Sequence, residues 1–132
     1  MISLLLAAAQ AAEVHLELVG VRADGKPIEV AIFSSEQEGF PKMDRAVRRL
    51  QVVASAATLV LPLGELGTGD WAIAVHHDQN ANGTLDFSWF PPGPSEGTSA
   101  SCGSRPFAMP SWSACHFQVA AESLKQRLEM WY

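Results

Sequence analysis

The residues best equipped for chemistry lie in one run, Asp78-Gln79-Asn80-Ala81-Asn82-Gly83-Thr84-Leu85-Asp86. Oxygen-bearing side chains occupy positions one, three, five and nine, with glycine at six and an aliphatic residue at eight. This is the first three quarters of an EF-hand-type calcium loop. Alternate residues in a tight coil turn their oxygens toward a common centre, Gly83 permits the reversal, and the Thr84 carbonyl supplies the seventh position. The candidate calcium ligands are therefore Asp78, Asn80, Asn82, Thr84 and Asp86. Two features depart from the pattern. Trp89 stands where the closing bidentate Glu belongs, and the run follows a strand, so no EF-hand is formed. A further ligand has to come from elsewhere, with Glu96 and Asp70 as candidates. With two guaranteed carboxylates the expected affinity is weak, on the order of 10⁻⁴–10⁻³ M, as in extracellular modules. The alternative is an Asx-rich turn without an ion, in which Asn80, Asn82 and Gly83 replace backbone hydrogen bonds. Both readings stand at this point.

His76 and His77 precede the run. Adjacent strand residues point to opposite faces, so the two cannot serve one ion without a bulge. His77 shares a face with Trp71, Ile73 and Val75, which predicts a partly buried ring bonded to a carbonyl. A zinc or copper site joining His77 to distant His15 or His116 is a separate alternative. No GxSxG elbow, Cys–His nucleophile pair, phosphate-binding glycine loop or HExxH occurs. Asp24, Asp44 and Asp70 all fall in turns, where capping is the default role. The sequence carries no catalytic motif, and the expectation is a protein that is not an enzyme.

The elements that must position these residues are strands. Glu13–Val19 alternates, with Val14, Leu16 and Leu18 on one face. After the turn Ala23-Asp24-Gly25-Lys26-Pro27, Ile28–Ser34 alternates again, and the two strands are expected to pair as a hairpin. Met43, Ala46, Val47 and Leu50 recur at helical spacing, predicting one or two helical turns over Lys42–Arg49. Leu50–Ala54 and Thr58–Leu63 read as strands, the second ended by Pro62 and Gly64. Gly67–Asp70 turns into the strand Trp71–His77. Ser88–Ser113 is rich in Pro, Gly and Ser without periodicity, and its aromatics make it a candidate ligand loop, with His77, Trp89, Phe90 and Trp112 as the residues to present. Cys115–Val119 and Leu124–Trp131 close the chain. About seven short strands predict an all-β, antiparallel two-sheet sandwich of the immunoglobulin or prealbumin-like kind. A membrane barrel would need about nine to eleven residues per strand, more than most of these runs supply.

The chain has 132 residues and is 48% hydrophobic, enough for one core and one domain. Its net charge is −5 and its largest basic group is Arg45, Arg48 and Arg49, which argues against nucleic acid or an anionic membrane surface as a partner. Met1–Ala11 is uncharged and apolar, too short to span a bilayer, and ends in Ala9-Gln10-Ala11. It reads as a signal peptide cut after Ala11, leaving one domain over 12–132 that is periplasmic or secreted; a frayed or buried N-terminal strand is the alternative. No lipobox cysteine follows. Cys102 and Cys115 suit that oxidising compartment as a disulfide across a loop of about a dozen residues, worth ~3 kcal/mol; two unrelated buried thiols are the alternative.

Gly39-Phe40-Pro41, the strand ending in His77-Asp78 and the Asn80-x-Asn82-Gly83-x-Leu85-Asp86 turn together resemble a known family, the bacterial domain of unknown function numbered 2141. Pro110-Ser111-Trp112 and the strand at Phe117–Val119 extend the resemblance over nearly the whole mature chain. It implies a transthyretin-like or prealbumin-like sandwich and brings no established activity. His76 departs from the apolar or aromatic residue expected there, and Cys102 is not required by the family pattern. The resulting expectation is a non-catalytic binding or structural module of the cell envelope, with an envelope or extracellular ligand, no transmembrane segment in the mature chain, and calcium as its candidate cofactor; a purely structural turn with no ion, and a periplasmic transition-metal-binding protein or an enzyme of unknown substrate, are the alternatives.

Overall fold

Among the described residues the chain forms ten strands: β1 (Ala11–Val19), β2 (Pro27–Ser34), β3 (Arg48–Val53), β4 (Leu59–Gly67), β5 (Gly69–His77), β6 (Phe87–Trp89), β7 (Pro92–Pro94), β8 (Gly97–Ala100), β9 (Phe117–Val119) and β10 (Leu124–Glu129). The computed structural model describes residues 11–34, 39–82, 87–89, 92–94, 96–102 and 111–132. One sheet runs β10-β1-β4, parallel between β1 and β10 and antiparallel between β1 and β4. The other runs β3-β2-β5-β8, with β9 paired to the opening of β5. The strands β6 and β7 form a separate two-stranded ribbon.

The core lies between the two main sheets, as expected of an all-β sandwich. Val14, Leu16 and Leu18 of β1 meet Ile28, Val30 and Ile32 of β2 and Ile73 and Val75 of β5, all essentially without solvent contact. Each such aliphatic side chain stabilises the fold by roughly 1.5–3 kcal/mol on burial. The strand β5 is covered on both sides. Its second face carries Ala72 and Ala74, small enough for Phe33, Phe40 and Trp112 to pack down over them. Cys102 and Cys115 are joined as a disulfide beneath the same aromatics.

Several local expectations are corrected. The strands β1 and β2 do not form a hairpin but lie in different sheets. Their inward rows satisfy each other across the sandwich instead of side by side, and the seven-residue connection from Gly20 to Lys26, anchored by buried Val21, is long enough to change sheets. The helical turns expected over Lys42–Arg49 shrink to a 3₁₀ turn at Met43–Arg45, because Arg48 and Arg49 already pair with β2. Pro62 and Gly64 do not end β4. A bulge leaves Leu63 between the pairs Val14–Gly64 and His15–Pro62, with Gly64 at φ +82. Arg48 Nη1 donates to the Leu63 carbonyl at 2.7 Å, tying β3 to β4 across the gap between the sheets.

The Pro/Gly/Ser segment also holds more order than its composition suggests. Gly97–Ala100 pairs with the end of β5, and Trp112–Cys115 forms one helical turn, α1, capped by Ser111 Oγ. At the opposite margin Thr98 and Trp131 exchange both backbone hydrogen bonds, at 2.8 and 2.9 Å, stitching the extension of β10 to β8. Among the described residues no helix is long and apolar enough to cross a membrane. Residues 1–10, which hold most of the apolar opening run, lie outside the described residues.

Candidate functional site

The pleat of β5 sends His76 and His77 to opposite faces, and each ring finds a carboxylate there. His76 continues the row of Ala72 and Ala74 and is buried. Its Nε2 lies 2.9 Å from Glu96 Oε1. Glu96 directly precedes β8 and is carried beside His76 because β8 pairs His76 with Thr98. Asp78 projects to the same side, two residues on, and is also buried. One ligand atom each from His76, Asp78 and Glu96 falls within 4.8 Å of the others.

The turn after Asp78 folds onto this group. Asn80 N–H donates to Glu96 Oε2 at 3.2 Å, and Asn82 N–H is shared between Asp78 Oδ1 and Asn80 Oδ1, both at 3.2 Å. The chain reverses at Ala81, whose φ of +57 is a conformation costing an L-residue with a Cβ roughly 1–2 kcal/mol. Of the expected ligand set, Asp78, Asn80 and Asn82 are therefore brought together, while Thr84 and Asp86 lie outside the described residues. Glu96 joins the group. Asp70 does not. It opens β5, about 26 Å of strand away from Asp78 at ~3.3 Å per residue, and stands half-exposed 3.7 Å from His116.

A second polar group occupies the other face, inside the sandwich. His77 has no solvent exposure. Its Nε2 lies 2.8 Å from Asp24 Oδ1 and its Nδ1 2.7 Å from the Tyr132 hydroxyl. The roles follow from chemistry. An ionised Asp24 can only accept, so Nε2 carries a proton, and in the neutral ring Nδ1 accepts from Tyr132 O–H. The same phenolic oxygen accepts from Arg22 N–H at 2.9 Å, and the Arg22 guanidinium covers the ring face at 4.2 Å. Desolvation pushes the Asp24 carboxyl upward, but the Lys26 N–H, the His77 ring and the Gln79 amide outweigh it and hold it below the ordinary aspartate value. Burial pushes the Tyr132 hydroxyl above its ordinary value; the Arg22 N–H opposes this and the Asp24 charge adds to it. His77 is thus bonded to a carboxylate and a phenol, where a backbone carbonyl was expected.

Both ring nitrogens of His77 are engaged, so it does not reach toward His15 or His116. His15 sits on β1 in the other sheet, and His116 stacks on Trp112 beyond the far end of β5. Trp112, one of the residues expected to present a ligand, packs against Phe40 at 6.2 Å between centroids and serves the outer core. Phe90 and the Trp89 side chain lie outside the described residues. Asp24 and Tyr132 went unrecognised because positions 24, 77 and 132 meet only through the topology; the one local hint is the Asp-Gly turn at Asp24.

What the two groups can do differs. The inner one is a closed chain of donors and acceptors that holds the end of β5. The outer one offers an imidazole nitrogen and two carboxylates on a buried surface, the donor set of a divalent transition metal. Around a tetrahedral ion two ligands at about 2.1 Å stand roughly 3.4 Å apart, so atoms spread over as much as 4.8 Å would have to close in by up to roughly 1.4 Å to seat one.

No curated protein and no solved structure matches significantly. The family model described as "Uncharacterized protein conserved in bacteria (DUF2141)" matches residues 16–127, from the middle of β1 into β10; that stretch includes His76, Asp78 and Glu96 and, of the inner group, Asp24 and His77 but not Tyr132. The chain belongs to this bacterial family.

Proposed function

We propose that this protein is a non-catalytic binding module of the bacterial cell envelope that holds a divalent transition-metal ion between His76, Asp78 and Glu96. The observation that carries the reading is the convergence of three buried ligand atoms of mixed type within 4.8 Å. An imidazole beside two carboxylates favours zinc or manganese over calcium, which prefers an all-oxygen shell. The apolar opening run and the Cys102–Cys115 disulfide support a periplasmic or secreted location.

A second reading has its own observation. The bonds from Asn80 and Asn82 N–H to Glu96, Asp78 and Asn80 are those of an Asx-rich clamp, which closes the turn without an ion. Isothermal titration of the chelator-treated chain with zinc, manganese and calcium separates the readings. The metal reading expects one equivalent of zinc or manganese to bind and the binding to be lost in His76→Ala. Calcium binding that survives His76→Ala moves the site to the oxygen-rich turn alone, and no binding of any of the three leaves the clamp.

A further inference from the structure

We infer that Asp24, His77 and Tyr132 are positioning residues for the metal site on the opposite face of β5. The inference rests on the metal reading above. Its basis is the pleat of the strand. His76 and Asp78 flank His77 and point the other way, so whatever fixes the His77 backbone fixes the origin of two of the three ligand side chains. His77 is fixed more tightly than strand pairing requires. It is fully buried, bonded at both ring nitrogens at 2.7 and 2.8 Å, and set edge-on to Tyr132 with centroids 5.6 Å apart. The strand end is also held by β2, since Asp78 N–H donates to the Pro27 carbonyl at 2.9 Å.

The same network reaches the third ligand. Tyr132 lies across Gly97, the residue after Glu96, so closely that no side chain fits between them. Gln79 adds a longer tie, donating to Asp24 Oδ2 at 3.4 Å while its Oε1 accepts from Gly97 N–H at 3.3 Å. Trp131, next to Tyr132, is bridged to Thr98 on β8. One inner group therefore sets both sides of the site: the β5 end with His76 and Asp78, and the β8 start with Glu96. Groups that orient metal ligands without touching the ion typically alter affinity 10–100-fold when removed.

The test separates positioning from general stability. Cobalt serves as a spectroscopic substitute for zinc and is titrated into the whole chain, Tyr132→Phe, Asp24→Asn and Leu128→Val. Tyr132→Phe keeps the ring over Gly97 but deletes the hydroxyl that fixes His77. Asp24→Asn keeps an acceptor for His77 while the Oδ2 facing the Gln79 amide becomes a donor. Leu128→Val loosens the core at β10 without belonging to either group, and controls for stability alone. The expected result is a cobalt affinity roughly tenfold lower in Tyr132→Phe and Asp24→Asn, with a changed visible d–d spectrum, and unchanged values in Leu128→Val. Wild-type affinity and spectrum in both inner variants would overturn the inference while leaving the metal reading intact. So would an equal loss in Leu128→Val. Absence of any cobalt band in the unaltered chain overturns the metal reading itself.

Discussion

Replacing Gly97 by alanine tests whether the Tyr132 ring is truly clamped onto β8. A methyl group there would fall 2.8 and 2.9 Å from Tyr132 Cδ2 and Cζ, and closer still to Cε2. Carbon atoms in contact sit at about 3.5–4.0 Å, so either the ring or the strand has to give. A ring that stays in place incurs overpacking of about 1–3 kcal/mol. A ring that swings out strands the buried His77 Nδ1 and the Arg22 N–H, and a buried polar atom left unsatisfied costs about 1–3 kcal/mol. Removing a glycine from a strand returns roughly 0.5–1 kcal/mol of backbone entropy, which is too little to reverse the sign. The expected loss is about 1–2 kcal/mol by urea unfolding. The decisive measurement is the same substitution in a Tyr132→Ala background, where the clash partner is gone and Gly97→Ala should be neutral or slightly stabilising. An equal loss in both backgrounds would refute the clamp.

Two further outcomes follow from the same chemistry. Asp24 is depressed in the fold, so its contribution is present above the unfolded aspartate value and disappears as pH falls through the lower folded value. Tyr132 is raised, so its contribution is full below the ordinary tyrosine value of about 10 and is lost as pH climbs through the higher folded value. Unfolding followed against pH should show an acid limb that flattens in Asp24→Ala and an alkaline limb that flattens in Tyr132→Phe. Opening the Cys102–Cys115 bridge, 13 residues apart in sequence, should cost about 3 kcal/mol in the chain-entropy model, read as a lower Tm in reductant; an unchanged Tm would mean that the aromatic cover over α1 already constrains the loop.

The fold class was legible because alternation is strong where one face is buried. Val14, Leu16 and Leu18, and Ile28, Val30 and Ile32, can belong only to strands lining a core. Whether two such strands pair or face each other is a different matter, because alternation marks a face and not a neighbour; hence the hairpin that does not form. The bulge at Leu63 was hidden by Pro62 and Gly64, which read equally well as a strand end. Gly97–Ala100 lacks large side chains and owes its strand to the open edge of β5 and to the ring of Tyr132. At the site, Asp78, Asn80 and Asn82 announced themselves by spacing, and Glu96 was one of two carboxylates able to complete the set. His76 stood out only as a departure from the family pattern. Its role depends on β8 returning Glu96 to the same face, and no local spacing encodes that return.

Whether His76, Asp78 and Glu96 jointly hold a transition-metal ion can be read by X-ray absorption on the zinc-loaded chain. The proposed site gives a first shell of one imidazole nitrogen and carboxylate oxygens at about 2.0–2.2 Å, with the imidazole scattering gone in His76→Ala. A shell of oxygen alone, identical in His76→Ala, would rule the site out.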